Sequence, residues 1–117
     1  MKKRLLLLAL FMLALPVLSA VAHHSYAEYD RDKSVVMEGA VKNVLWVNPH
    51  VLITLETEDH GEYSVEWKSL SQLSRQGMKP PFVIKSGDRL VVTGSVNRNP
   101  EKRIVSLVRQ ILRPADG

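Results

Sequence analysis

Residues 35–67 read VVMEGAVKNVLWVNPHVLITLETEDHGEYSVEW, and this stretch decides the fold. Apolar residues recur in it at alternate positions, which is the period of a half-buried β-strand. Pro49 lacks a backbone N–H and disfavours helical backbone at Asn48, so the chain must turn there. The stretch therefore predicts three strands, at residues 35–46, 51–58 and 63–68.

The first strand changes parity halfway along its length. Its inward residues are predicted to be Val35, Met37, Gly39 and Val41, followed by Val44 and Trp46. The slip of one residue predicts a β-bulge near Lys42-Asn43. A long first strand that bends in this way can serve both sheets of a small five-stranded barrel.

The residues after Trp67 predict a short helix and two further strands. Ser69 and Gln72 fit a capping box, and Gly77 is suited to end the helix. The remaining predicted elements are strands at residues 89–96 and 103–112, a hairpin loop at residues 97–101, and a fraying tail at residues 114–117. This order is that of the oligonucleotide/oligosaccharide-binding (OB) barrel, so we predict an all-β, OB-like barrel over residues 35–113. A generic five-stranded sandwich or roll is the alternative.

The start of the chain, residues 1–22, predicts a secretory signal peptide. Lys2-Lys3-Arg4 is a basic start, Leu5–Leu15 is an apolar run, and Ala20-Val21-Ala22 is a small-x-small cleavage site. The run is short for a membrane-spanning helix, which needs about 20 apolar residues. We therefore predict cleavage, a periplasmic location and no stable membrane insertion afterwards, with an uncleaved anchor as the alternative. Residues 23–34 are then an exposed lead-in to the barrel, with contact to the barrel through Tyr26 and Tyr29 as an alternative.

The positive charge of the chain comes largely from this leader. The 16 Lys and Arg residues exceed the 12 Asp and Glu residues, but three basic residues lie in the leader, which leaves 13 against 12. A nucleic-acid-binding domain is expected to have a pI above about 9, so no nucleic-acid partner is predicted. The absence of cysteine excludes disulfides, thiol catalysis and thiolate metal ligands.

Three motifs stand out along the chain: Ala22-His23-His24-Ser25, then Gly-x-Val-x-x-Val-x-Trp-x-Asn-Pro-His at residues 39–50, then Trp67. Together they resemble a family of short secreted bacterial proteins known only as a domain of unknown function. The resemblance implies an exported β-barrel and supplies no activity. A looser similarity is to the periplasmic copper/silver chaperones, small OB barrels that bind a monovalent metal. The residues that would imitate their ligand set are Met37, Trp46, His50 and Met78.

The mature amino terminus is the first candidate site. Cleavage after Ala22 would leave His23 as the first residue, so that its amine and imidazole chelate a metal, with His24 beside it and His50 as a third imidazole. Cleavage after Ala20 would instead give a square-planar site of an amine, two amides and one imidazole. The square-planar arrangement suits Cu(II) and Ni(II), and the arrangement with a third imidazole is a T-shaped copper site. Either cleavage leaves a terminus able to bind copper, so copper is the candidate cofactor. The alternative is that the histidines are a polar spacer at the cleavage site.

The turn and the tryptophans form the second candidate site. His50 is either a metal ligand or a capping side chain that bonds to a backbone group, with Asn48 closing the turn. Trp46 and Trp67 are either a stacking platform for a sugar or base, or plugs of the barrel end. We predict that Trp46, Asn48 and Trp67 bind a ligand and lie with His50 at one rim. His60, which would be another source of a third imidazole, is interpreted as a solvated turn residue.

The sequence contains no nucleophile elbow, paired-acid motif or metal-hydrolase spacing, so catalysis is not predicted. We expect a monomeric, exported binding or accessory module whose partner is a metal ion or a periplasmic protein. One alternative is a structural or protein-interaction module without metal. The other is a glycan or oligomer binder that uses Trp46 and Trp67.

Overall fold

The computed structural model describes residues 27–79 and 83–116. The elements are β1 (Val35–Leu45), β2 (Leu52–Thr57), β3 (Gly61–Glu66), α1 (Leu70–Arg75), β4 (Arg89–Val96) and β5 (Ile104–Leu112), with 3-10 turns at Pro100–Lys102 and Pro114–Asp116. The strands close into a barrel in the order β1-β2-β3-β5-β4, and α1 lies between β3 and β4 in the chain. This is the OB topology, so the predicted fold is confirmed over the sandwich or roll.

β1 is the strand that serves both halves of the barrel. Its first half pairs with β4 and its second half pairs with β2. The register to β2 shifts between Val41 and Asn43, which confirms the predicted bulge. Gly39 lies where the two pairings overlap, and an added Cβ there would be 2.4 Å from the carbonyl oxygen of Glu56. The close approach of the two strands therefore requires a glycine.

The barrel interior contains most of the side chains that the alternation of the first three strands predicted to point inward. Its buried cluster consists of Met37, Val41, Ile53, Leu55, Val65, Ile84, Leu90, Val92 and Val105. The prediction is wrong for Val35, which is 38% exposed because it is the first residue of β1, before the part that pairs with β2. Each fully buried aliphatic side chain contributes roughly 1.5–3 kcal/mol to folding. α1 adds Leu73, which is completely buried, and begins with the predicted capping box between Ser69 and Gln72.

Both ends of the described chain are held against the barrel. Within the lead-in, Tyr29 lies against the barrel, as one alternative expected, because it is buried and bridges to Asn97 after β4. Tyr26 lies outside the described residues. The tail that we expected to fray forms a 3-10 turn, and Arg113 pairs there with Asp116. No helix in the described part of the chain is long and apolar enough to cross a bilayer. The predicted signal peptide, residues 1–22, lies outside the described residues.

Candidate functional site

One end of the barrel gathers the four residues that were predicted to lie at one rim: Trp46, Asn48, His50 and Trp67. Leu45 at the end of β1 pairs with Leu52 of β2, and Leu52 pairs with Glu66 at the end of β3. Trp46 and Trp67 are the next residues along the chain, so both tryptophans follow their strands at this end. Both are half-buried and pack against the core. The loop that joins β1 to β2, residues 46–51, lies at this same end of the barrel.

This loop is fastened to the connection between β3 and α1. The N–H of Trp67 donates to the carbonyl oxygen of Val51 at 2.8 Å, and the N–H of Val51 donates to that of Lys68 at 3.0 Å. The Oδ1 of Asn48 accepts the N–H of Leu70 at 3.0 Å. The first N–H groups of a helix have no intrahelical partner. Asn48 therefore supplements the capping box of α1 from across the barrel end, and does not form the local turn bond that we predicted.

His50 is hydrogen-bonded at the same corner, after the cis Asn48–Pro49 peptide bond. Its Nδ1 lies 3.0 Å from the carbonyl oxygen of Trp67. A carbonyl oxygen only accepts hydrogen bonds, so Nδ1 carries the proton and Nε2 of the neutral ring keeps its lone pair. The imidazole thus satisfies a backbone group, as the capping alternative predicted. Nε2 lies on the opposite side of the ring from Nδ1, and the His50 side chain is exposed.

Three adjoining cavities surround Trp67, and we call them together the Trp67 groove. Their volumes are about 160, 240 and 160 Å³, and Trp67 lines all three. The first cavity is bounded by His50 and by β5 at Ser106, and the middle cavity by Lys68 and Val108. The third contains Met78, Val83, Ile84 and Ile111. The groove therefore runs along β5 with Trp67 at its centre.

The groove exists because β5 separates from β3. In the described chain these two strands form only two residue pairs, Ser64 with Ile104 and Val65 with Val105. The pairing of β5 with β4 shifts register between Thr93 and Ser95, and Leu107 takes a φ of 48° in this bulge. Positive φ is uncommon for residues with a Cβ. Gly94 faces the bulge, and an added Cβ there would be 2.9 Å from the carbonyl oxygen of Ser106.

The sequence carried one unused signal for this bulge. A glycine in the interior of a strand often marks a bulge or a close backbone approach, and Gly94 interrupts the apolar run of β4. Leu107 and Val108 themselves look like ordinary strand residues. The sequence analysis therefore did not identify the groove residues on β5, although Gly94 on the neighbouring strand β4 indicated that the strand paired with it is irregular.

The middle of the groove is positively charged. Lys68 and Arg109 line its central cavity, and no carboxylate is among the described residues that do so. The Nζ of Lys68 donates to the side-chain oxygen of Gln76, and the Arg109 guanidinium donates to the carbonyl oxygen of Arg31. Both of these acceptors are neutral. A guanidinium has five N–H donors, so one neutral partner does not exhaust the capacity of Arg109.

The outer face of β2 and β3 carries carboxylates. Glu56 and Glu62 lie directly opposite each other, and like charges in this position are destabilising. Lys42 offsets the repulsion with an ion pair to Glu62 at 2.9 Å, and this hydrogen bond raises the pKa of the lysine. OB barrels bind oligonucleotides at the corresponding face. Here the local charge opposes a polyanion.

Potential metal ligands are dispersed over the described chain. Within residues 27–79 and 83–116 no three side chains of His, Asp or Glu are grouped so that they can hold a metal ion. His23 and His24 lie outside these residues. Met37 is buried and lines a cavity with His60, whereas His50 lines the Trp67 groove. The similarity to copper/silver chaperones stays a prediction.

The fold and the barrel end define this protein as a small OB-like β-barrel. Residues 12–105 match the model of the Family of unknown function (DUF6152), and the chain belongs to that family. The predicted resemblance to a small family of unknown function is thereby confirmed. No curated protein matches the chain. Among solved structures, it is similar to the crystal structure of yeast Stn1 and Ten1, at 25% identity with a TM-score of 0.46. The similarity covers 68% of this chain and 42% of that one.

Proposed function

We propose that the protein is an exported, non-enzymatic binding module that holds its ligand in the Trp67 groove. The observation that carries this proposal is the position of Trp67, which lines three adjoining cavities while its backbone bonds to Val51. Binding sites are commonly concave and apolar, with a few polar groups that orient the ligand. Met78, Val108 and the indole supply the apolar surface here, and the charges of Lys68 and Arg109 supply the orientation.

Export is supported by the sequence of residues 1–22. The basic start, the short apolar run and the small-x-small site together are typical of a signal peptide. Intact mass spectrometry of the protein recovered from the periplasm tests export directly. The expected mass is that of a chain starting at Val21 or His23. Recovery of the full chain in the membrane fraction would contradict the proposal.

Binding in the groove is tested with a variant that fills it. In a Trp46→Phe background, tryptophan emission reports Trp67 alone, because the chain has two tryptophans. We propose to titrate this protein with an acidic octapeptide, Gly-Ser-Val-Glu-Val-Glu-Val-Thr, and with polygalacturonate. A change in emission is expected with at least one of them, and Val108→Arg should abolish it.

The matched control for this test is Val36→Arg. Val36 is 68% exposed on the other side of the barrel, where it does not line the groove. Its substitution should leave the titration unchanged. Equal responses of the Val108→Arg and Val36→Arg proteins, or no response to either ligand, would contradict a ligand site at Trp67.

Copper binding through His50 is the second candidate function. The bond from Nδ1 of His50 to the carbonyl oxygen of Trp67 is the observation that favours it. Histidines that bind metals commonly donate their other ring N–H to such a group, which fixes the ring and raises its basicity. Nε2 would then bind copper, with His23 and His24 of the mature terminus as the remaining ligands. Tetragonal nitrogen ligation suits Cu(II).

Calorimetric titration of the mature chain with Cu(II) tests this candidate. The His50→Ala substitution should weaken binding at least about tenfold, since even partners of ligands cost about 10–100-fold. His60→Ala is the matched control, because His60 is an exposed histidine in the turn before β3. Unchanged affinity in the His50→Ala protein would leave only a generic amino-terminal site.

A further inference from the structure

The edge of β5 that faces the groove has no strand beside it in the described part of the chain. β5 pairs with β3 at Ile104 and Val105, and the last three residues of β5 pair regularly with β4 on the other side. An edge of this kind presents backbone donors and acceptors to a further strand. Residues 110–112 are therefore held in strand conformation by β4, and their other backbone edge lies along the groove.

The walls of the groove suit the side chains of an added strand. Successive side chains of a strand point to opposite faces, so every second one can enter the groove. Trp67, Met78 and Ile111 offer apolar surface in cavities that adjoin along β5. A partner strand would therefore gain main-chain hydrogen bonds from the edge and apolar burial from the cavities, which is how strand addition achieves affinity and specificity.

The charge of the groove selects among possible strands. Lys68 and Arg109 line the middle cavity without a carboxylate beside them. Arg113 lines the third cavity, but its charge is offset by ion pairs with Asp88 and Asp116. β5 and its following residue contain no Asp or Glu, so a second copy that paired antiparallel through the last three residues of β5 would place Arg109 opposite Arg113 of the other copy. Like charges opposite one another are destabilising. A strand that carries carboxylates is complementary to this edge, and a second copy is not.

We infer that the partner of this protein is a polypeptide with an extended, acidic segment, which adds as a strand to the β5 edge and places apolar side chains in the Trp67 groove. This inference rests on the proposed function. The apolar side chains on one face of the segment pack against the Trp67 indole. The carboxylates that alternate with them lie on the solvent side, where the half-buried Lys68 and the exposed Arg109 extend their charges and bind them.

The test uses the mature chain and the same acidic octapeptide, labelled with fluorescein and followed by anisotropy. Two control peptides are included: one in which lysine replaces both glutamates, and one in which every backbone nitrogen from the first valine to the last is methylated, so that neither edge of the peptide can donate. Both should bind at least about tenfold more weakly, because each lacks either the charge or the backbone hydrogen bonds. The methylated peptide tests strand pairing without any change to the protein.

The matched protein variants are Arg109→Gln and Arg98→Gln. Arg98 is exposed in the β4–β5 loop, so its loss should leave affinity unchanged, whereas loss of Arg109 should weaken binding about fivefold or more. Equal binding of the acidic, basic and methylated peptides would overturn the inference. Binding of polygalacturonate alone, abolished by Val108→Arg, would overturn the peptide partner and keep the groove as the ligand site. If the Val108→Arg protein still binds the octapeptide and polygalacturonate as tightly as the unsubstituted protein does, both proposals are contradicted.

Discussion

The side-chain oxygen of Asn48 accepts the backbone N–H of Leu70 at 3.0 Å, which joins the loop after β1 to the start of α1. His50 makes a parallel connection through the carbonyl oxygen of Trp67. The Trp-x-Asn-Pro-His motif therefore has a structural role: it holds together the corner from which Trp67 enters the groove. Its polar side chains satisfy backbone groups, and the His50 ring also bounds the first cavity of the groove.

Asn48→Ala should lower the free energy of unfolding by about 1 kcal/mol, the usual cost of losing a helix-capping side chain. Urea denaturation of the mature chain measures this loss. Asn43→Ala, which removes an exposed asparagine side chain from the bulge of β1, is the control and should cost less. Equal costs for the two substitutions would show that the bond from Asn48 to Leu70 contributes no stability.

Gly39→Ala should destabilise the barrel by about 2 kcal/mol or more. The added Cβ would lie 2.4 Å from a backbone oxygen of β2, so the paired strands must move apart, and overpacking of this kind commonly costs about 1–3 kcal/mol. Gly77→Ala is the comparison, because Gly77 has a φ of 79° in open space and its substitution should cost only about 1 kcal/mol. The measurements are thermal and urea denaturation. A larger loss of stability in the Gly77→Ala protein than in the Gly39→Ala protein would contradict the described close pairing of β1 with β2.

Leu73→Ala should lower the free energy of unfolding by about 2–5 kcal/mol, because Leu73 is the completely buried residue of α1. Ser71→Ala, on the exposed side of the same helix, is the control and should have little effect. Urea denaturation of both proteins checks the prediction. Similar stability of the two variants would mean that the burial of Leu73 does not stabilise the fold.

The carboxylate of Asp88 accepts the N–H of Lys85 and pairs with Arg113, each at 3.0 Å. The hydrogen bond from Lys85, followed by the contact with Arg113, lowers the pKa of Asp88 against the opposing effect of burial. Because this pKa is lower in the folded chain than in the unfolded one, the contacts stabilise the fold above the unfolded value of about 3.9. The stabilisation is lost as the pH falls through the folded value.

Asp88→Asn should consequently destabilise the protein at pH 7 and make its stability less dependent on pH on the acid side. Urea denaturation at a series of pH values from about 7 to about 2 measures both effects, because the loss of the stabilisation begins near the unfolded pKa of about 3.9 and is complete only below the folded one. The two proteins should become more similar in stability as the pH falls. A constant difference across the series would show that the Asp88 carboxylate is not the group responsible.

The strand pattern, the capping box and the bulge in β1 were predictable from the sequence because each is a local rule. Alternation identifies the inward face of a strand, and a change of parity at Lys42-Asn43 identifies the bulge. The partners of Asn48 and His50 were not predictable, because Leu70 and Trp67 come into contact with them only when the barrel closes. The groove depends on such long-range geometry as well, since it arises where β5 leaves β3.

The most direct test of a ligand site at Trp67 is an NMR titration of the ¹⁵N-labelled mature chain. The titrant is whichever of the acidic octapeptide and polygalacturonate binds more tightly. We expect the largest shifts at the indole N–H of Trp67 and at the amides of Lys68 and Gln110, with Thr54 and Glu62 on the outer face unaffected. Shifts centred on Thr54 and Glu62, with an unchanged Trp67 indole, would contradict the account.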